Sequence, residues 1–233
     1  MLELFPEGFE EIERPDGVEL VAYTDSGGEE RLWSVFGQAT GTDIATGWED
    51  RWREFHRPVR VGDLWIGQPW QERPADAIAV VIEPARAFGT GAHPTTRLCL
   101  ELLATLPRGS VVDIGCGSGV LSIAAAKLGF GPVTGVDADA NAVAKARENV
   151  TANGVDVSVT EADALDQTIP DADIALANVT REVVEAVAGS GRWPVLVASG
   201  YLVHESTELP GYRHVMRRAE AGWAADVFER TGE

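Results

Sequence analysis

The chain of 233 residues has only two cysteines, two methionines and four histidines, and no long apolar run. Each scarcity excludes something. Cys99 and Cys116 fall on different predicted elements and form neither a Cys-x-x-Cys pair nor a framework, which favours a reducing compartment over a disulfide-stapled fold. Cys116 sits inside a glycine-rich turn that calls for a small side chain, so a catalytic thiol is not expected there. Every apolar stretch is interrupted by glycine or charge well short of the roughly 18 residues that cross a bilayer. The opening Met-Leu-Glu-Leu-Phe-Pro-Glu-Gly lacks the basic-then-apolar order of a secretion signal, and a cytoplasmic protein away from membranes is expected. His56, His204 and His214 are scattered without ligand spacing, so no metal is expected.

Positive charge is also scarce. Nineteen Lys and Arg stand against 37 Asp and Glu, a net charge of −18. Such a field repels phosphate backbones and anionic lipid and attracts cationic partners, which disfavours nucleic acid as a direct substrate. Solubility alone accounts for the acidity equally well.

What is present is an ordinary globular composition, 45% hydrophobic and 24% charged, at a length that allows one large domain with a smaller companion. Residues 1–66 read as a small α+β unit. It has strand candidates at Val18–Thr24 and Arg31–Phe36, a helix at Trp48–His56 with Trp48, Trp52 and Phe55 at helical spacing, and a strand at Val59–Ile66. Residues 67–76, rich in proline and polar side chains, read as a linker. From Ala77 to the C-terminus strands alternate with helices. The strands are expected at Ile78–Ile82, Val111–Ile114, Val133–Asp137, Val155–Val159, Ile174–Ala177 and Val195–Ala198, with two late ones at Tyr212–Arg217 and Trp223–Glu229. Helices are expected at Thr96–Leu106, Val120–Gly129, Ala140–Asn153 and Arg181–Ala188. That alternation predicts a doubly wound, mostly parallel α/β sheet with helices on both faces.

The chemistry concentrates in two glycine loops. After the strand Val111–Ile114 comes Gly115-x-Gly117-x-Gly119, where glycines let the chain turn sharply and a ligand approach the backbone, with the free N–H groups of a helix start behind. The third glycine of the dinucleotide fingerprint is missing, and no Tyr-x-x-x-Lys is apparent, which disfavours a nicotinamide-dependent oxidoreductase. Asp137 ends the second strand of the unit, where a carboxylate accepts both hydroxyls of a ribose. Asp163, after the third strand, falls where an adenine amino group would lie, and a solvated loop aspartate explains it equally. Asp139, directly before Ala140, is the better candidate for capping the next helix. The earlier loop runs Phe88-Gly89-Thr90-Gly91-Ala92-His93-Pro94-Thr95-Thr96.

With these motifs in place, the chain resembles the class I S-adenosylmethionine-dependent methyltransferases, and among them the PrmA family of ribosomal protein L-eleven methyltransferases. The segments that carry the likeness are Ile82-Glu83-Pro84, Ala87 to Arg97, Asp113 to Leu121 and Gly135 to Asp139, with Asn149 to Gly154 and Asn178. The resemblance implies a seven-stranded, Rossmann-like methyltransferase sheet over residues 77–233, preceded by a substrate-recognition domain of which the present N-terminal residues match only the later part. It implies S-adenosylmethionine as cofactor, contacted by Thr96, Asp113, Gly115, Gly117, Asp137, Asp163 and Asn178, with Phe88, Gly89, Thr90 and Gly91 closing over its methionine end. It further implies transfer to lysine or N-terminal amines of a basic ribosomal protein. The sequence does not give the oligomeric state, and a monomer is favoured. Where the family tends towards Asn, two apolar or aromatic residues and Ala, this chain has Asn178-Val179-Thr180-Arg181. The alternatives are another protein or a small molecule as acceptor, or a cofactor-binding module without turnover. Methyl transfer is an in-line displacement that needs a neutral amine about 3 Å from the methyl carbon. Asn178 is the candidate to accept a hydrogen bond from that amine, and His93 the candidate to take its proton or, equally, to fix the loop.

Overall fold

The computed structural model describes residues 10–14, 17–21, 32, 35, 36, 57–83, 91–166, 169–189, 192–205 and 208–232. The chain divides into two compact units, Met1–Phe55 and His56–Glu233. In the first, β1 (Glu10–Arg14) and β2 (Gly17–Val21) form an antiparallel hairpin that pairs Glu10 with Val21 and Arg14 with Gly17. Leu32, Val35 and Phe36 are helical rather than extended. Their i, i+3, i+4 spacing is that of one helix face, in place of the strand expected over Arg31–Phe36. The helix expected at Trp48–His56 lies outside the described residues.

The second unit begins earlier than the linker composition suggests. The expected strand at Val59–Ile66 is a hairpin, β3 (Val59–Val61) and β4 (Leu64–Gly67), broken by a turn at Gly62-Asp63. Parallel to β4 runs β5 (Ile78–Val81), so residues 68–77 connect two strands of one small sheet. Val61, Leu64, Ile66 and Val80 are buried in the same core cluster as the helices that follow. Apolar burial assigns this sheet to the larger unit, which no local composition signal could indicate.

Among the described residues, four helices and seven strands complete that unit. Helix α1 (Pro94–Thr105) starts with proline at its first turn, where the missing N–H costs nothing, and buries Leu98, Leu102 and Leu103. After β6 (Val111–Ile114) comes α2 (Val120–Lys127), apolar nearly throughout and buried from Val120 to Ala125. Strand β7 (Val133–Asp137) leads to α3 (Ala140–Asn153), capped at its start by Asp139, whose carboxylate accepts from Asn141 N–H, and ended by left-handed Gly154. Strand β8 (Ser158–Glu161) begins three residues later than its apolar pattern suggests, because Val155 and Val157 pack against the core before pairing starts. Then come β9 (Ile174–Asn178), α4 (Arg181–Ala188), β10 (Val195–Leu202), β11 (Tyr212–Glu220) and β12 (Trp223–Arg230).

The seven strands are ordered β11-β12-β10-β9-β6-β7-β8. Six run in one direction, five of them as parallel neighbours, and β12 is antiparallel to both its neighbours. This is the Rossmann-like methyltransferase sheet. One face packs on α1, α2 and α3, which lie between it and the small sheet β3-β4-β5. The other face carries α4 with Trp193, Tyr201 and Phe228. Burying a single core side chain such as Ile123 contributes about 1.5–3 kcal/mol.

The antiparallel edge holds a buried charge. Asp226 is fully buried and accepts hydrogen bonds from Tyr201 Oη at 2.8 Å and from Arg217 Nε and Nη2 at 2.8 and 2.9 Å, with His214 Nε2 also at 2.8 Å. Burial alone would raise its pKa, but the bonds from Arg217, Tyr201 and His214 outweigh it and hold the carboxyl below its ordinary value. A lowered acid pKa stabilises the fold above the unfolded-state value, near 3.9, and that stabilisation is lost as pH falls through the folded-state value. Arg217 is one-third exposed, so Asp226→Asn should cost about 2–3 kcal/mol at pH 7, below the range for a wholly buried pair. Urea unfolding of both proteins should show that gap closing as pH is lowered below about 4; a gap independent of pH would contradict it.

Candidate active site

Strand β6 lies at the point where the sheet order reverses, with β7 and β8 on one side and β9 and β10 on the other. In open α/β sheets ligands bind outside the carboxyl ends of the strands at such a switch point. Gly115 follows β6 there, Asp137 ends β7, and Asn178 ends β9. Trp223, first residue of antiparallel β12 and paired with Leu202, arrives at the same end.

The glycine turn is held from three sides. Gly115 and Cys116 N–H both donate to Val136 O, and Gly119 N–H donates to Cys116 O. Gly115 adopts φ 69°, and a Cβ there would lie 2.4 Å from Val179 Cγ1, so only glycine lets Val179 close against the turn. Asp113 supports it from below. Its Oδ2 accepts from Ser122 N–H at 3.0 Å and Ser122 Oγ at 2.5 Å, and burial pushes its pKa up to about 6. Sequence reasoning grouped Asp113 with the cofactor contacts. The structure places its carboxylate in the interior, bracing the first turn of α2.

Asp137 is half-buried. One oxygen accepts from Gly117 N–H at 2.8 Å, and the other from Asp139 N–H at 3.0 Å. A carboxylate has about four acceptor sites, so one remains on each oxygen. Two fixed acceptors beside a glycine turn suit the paired hydroxyls of a ribose. Asp163 accepts from Leu165 N–H at 2.9 Å, folding its own loop, and stays half-exposed after β8.

Helix α1 brings up the other wall. Thr96 is buried in its first turn, and Asn178 Nδ2 lies 3.4 Å from Thr96 Oγ1, which leaves Asn178 Oδ1 to accept. Val179 N–H donates to Ser199 O, and a Cβ on Gly200 would fall 1.8 Å from Val179 O. That close crossing sets the chain after Asn178 against β10. His93 is the N-cap of α1, with Nδ1 3.4 Å from Thr95 N and 2.8 Å from Thr95 Oγ1. Its ring meets Trp223 edge-on, centroids 4.9 Å apart at 69°. Partial burial and then the Arg97 charge lower its pKa, favouring the neutral ring. Accepting from a backbone N–H at Nδ1 places the neutral ring's proton on Nε2, as a donor.

Gly91 is buried, and its α-carbon packs so closely on Ile66 that a Cβ would lie 2.5 Å from Ile66 Cγ2. Phe88, Gly89 and Thr90 lie outside the described residues. The structure thus gathers Gly115, Gly117 and Asp137 about the glycine turn, and His93, Thr96 and Asn178 about the start of α1. Sequence reasoning missed Trp223 and Val179. Trp223 carries no local signal, since it reaches the site only through the antiparallel insertion of β12. An open cleft of about 570 Å³ between Ala164, Leu165 and Ile169 on one side and α4 on the other includes none of the candidate residues.

The family model for ribosomal protein L11 methyltransferase (PrmA) matches residues 31–224. The chain is 38% identical over 195 residues to the ribosomal protein L11 methyltransferase of Aeromonas hydrophila, covering 75% of this chain and 65% of that protein. It is 46% identical over 164 residues to that of Neisseria gonorrhoeae, covering 66% and 55%. The chain therefore spans less than two thirds of the length of these relatives. Among solved structures, a ribosomal protein L11 methylase from Lactobacillus delbrueckii subsp. bulgaricus superposes with a TM-score of 0.67 at 23% identity, covering 76% of this chain and all of that one. That likeness shows the fold, while the model match over most of the sequence shows the family. With the switch-point site and these matches together, the chain belongs to the ribosomal protein L11 methyltransferase (PrmA) family.

Proposed function

We propose that the chain is an S-adenosylmethionine-dependent methyltransferase that methylates lysine or N-terminal amines of a basic ribosomal protein. The observation that carries this reading is the placement of Asp137, the glycine turn and Asn178 around one switch point, each with acceptor capacity to spare or a backbone open to a ligand. When bound, the cofactor supplies the sulfonium methyl group. Asp137 would hold its ribose and the turn at Gly115–Gly119 its adjoining chain, with Thr96 near the methionine end.

The protein's own part is to position the amine. A lysine amine, pKa near 10.4 in water, must lose its proton, and an apolar wall with a nearby positive charge favours the neutral form. Asn178 Oδ1 would accept one N–H of that amine and orient its lone pair. Trp223 and Val179 would exclude water beside it. His93, its Nδ1 engaged at the helix cap, would hold the wall in place and donate through Nε2. The net charge of −18 supports a cationic partner by steering it at long range. The reading also places the protein in the cytoplasm, where such a substrate is made.

Incubation with methyl-labelled S-adenosylmethionine and the free ribosomal protein should place label on that protein. Bound cofactor without label there would remove it as the acceptor. Asp137→Ala should weaken cofactor binding by about 1.5–3 kcal/mol for each charge-assisted bond lost, read by titration calorimetry. Unchanged affinity would refute the ribose assignment. His93→Asn keeps a capping side chain and should retain most of kcat, whereas His93→Ala should lose about 1 kcal/mol of stability. Abolished turnover in His93→Asn, with its fold intact, would instead make His93 the proton acceptor.

A further inference from the structure

Helix α3 is stitched to β5 by side chains on one face. Asn153 accepts from Val81 N–H at 2.9 Å and donates to Val81 O at 2.6 Å, acting as a strand partner on the side of β5 away from β4. One turn earlier, Asn149 Oδ1 accepts from Glu83 N–H at 3.2 Å. Another turn earlier, Lys145 Nζ lies 3.0 Å from Glu83 Oε2. Residues 145, 149 and 153 are spaced i, i+4, i+8, so they share one helix face, and residues 81 and 83 share one strand edge. The two periods match, and the helix reads the strand as a ladder.

Asn149 differs from the others in having a second attachment. Its Nδ2 donates to Ser118 O at 2.9 Å, and the residue is 2% exposed. One planar amide therefore joins the chain just past β5 to the carbonyl inside the glycine turn. Of the other two groups on this face, Asn153 bonds Val81 and its own helix, and Lys145 pairs with Glu83 and Glu148. We infer that Asn149 is a positioning residue that sets the glycine turn against the end of β5, so that the backbone around Gly117 is preorganised for its ligand. An amide suits both ends because it offers one acceptor and one donor in a fixed plane. A carboxylate could still accept from Glu83 N–H but would set oxygen against the Ser118 carbonyl. Leucine would leave both groups without this partner, the Ser118 carbonyl in the interior.

The inference rests on the proposed cofactor site only for its affinity arm, and Asn153 supplies the internal control. Asn149→Leu, Asn149→Asp and Asn153→Leu should all unfold at lower temperature than the parent, since Asn149→Leu loses both bonds of that amide, Asn149→Asp its bond to Ser118 O, and Asn153→Leu its two bonds to Val81. Backbone hydrogen exchange in the absence of any ligand should speed up across Gly115–Leu121 by about tenfold in both Asn149 variants and remain at the parental rate in Asn153→Leu. Titration with S-adenosylhomocysteine should show affinity lowered about tenfold by the Asn149 variants and unchanged by Asn153→Leu. Equal exchange in the Asn149 and Asn153 variants would overturn the inference, whatever the cofactor. Should Asn149→Leu lose its fold, Asn149→Asp carries the same comparison. If the parent protein binds neither S-adenosylhomocysteine nor S-adenosylmethionine, the proposed function fails, and the exchange comparison still decides the role of Asn149.

Discussion

Strand β6 is buried along its length between β7 and β9, with Val111 facing the cluster under α1 to α3 and Val112 and Ile114 facing the cluster under α4. That double burial is the constraint on which the rest depends. A strand covered on both faces cannot shift register by one residue without exchanging its side chains between two packed layers. Its carboxyl end is thereby fixed, and so is the start of the turn at Gly115. Asp113, the one charged residue in the strand, is tolerated because Ser122 supplies two donors to it.

From that fixed point the site assembles by short links. Gly117 N–H ties the turn to Asp137 on β7, Asn149 ties it to the end of β5, and Val179 closes on Gly115 from β9. Each contact is modest alone, the neutral hydrogen bond contributing about 1 kcal/mol and the one to the Asp137 carboxylate about 1.5–3 kcal/mol. Together they remove freedom from a loop that must meet a ligand with its backbone. Rigidity before binding is the main way a protein limits the entropic cost of binding.

Much of this was legible in the sequence because the larger unit obeys local rules. The β-branched runs at Val111–Ile114 and Val133–Val136, the cap at Asp139 and the stop at Gly154 each mark an element by its own chemistry, and the structure has those elements at those residues. Asp137 was legible for the same reason, through its distance from Gly115. Non-local pairing was not legible. The hairpin at Val59–Gly67 joined the larger unit through burial against distant helices, and Trp223 reached the site by strand insertion, neither leaving a mark in the neighbouring residues. The helical spacing of Leu32, Val35 and Phe36 was present, in a stretch that the turn residues Asp25 to Gly28 had set off as a strand. Asn149 and Asn153 were visible as a pair one turn apart, but what they bind lies 31 to 72 residues away.

The central claim is that the turn at Gly115–Gly119 and Asp137 form the seat of an adenosyl cofactor. A crystal structure of the protein with S-adenosylhomocysteine tests it most directly. The account predicts both ribose hydroxyls within hydrogen-bonding distance of Asp137, one on each carboxylate oxygen, with the bonds from Gly117 and Asp139 retained. A ligand seated elsewhere, such as the cleft beside Leu165 and Trp193, or a ribose out of reach of Asp137, would contradict it.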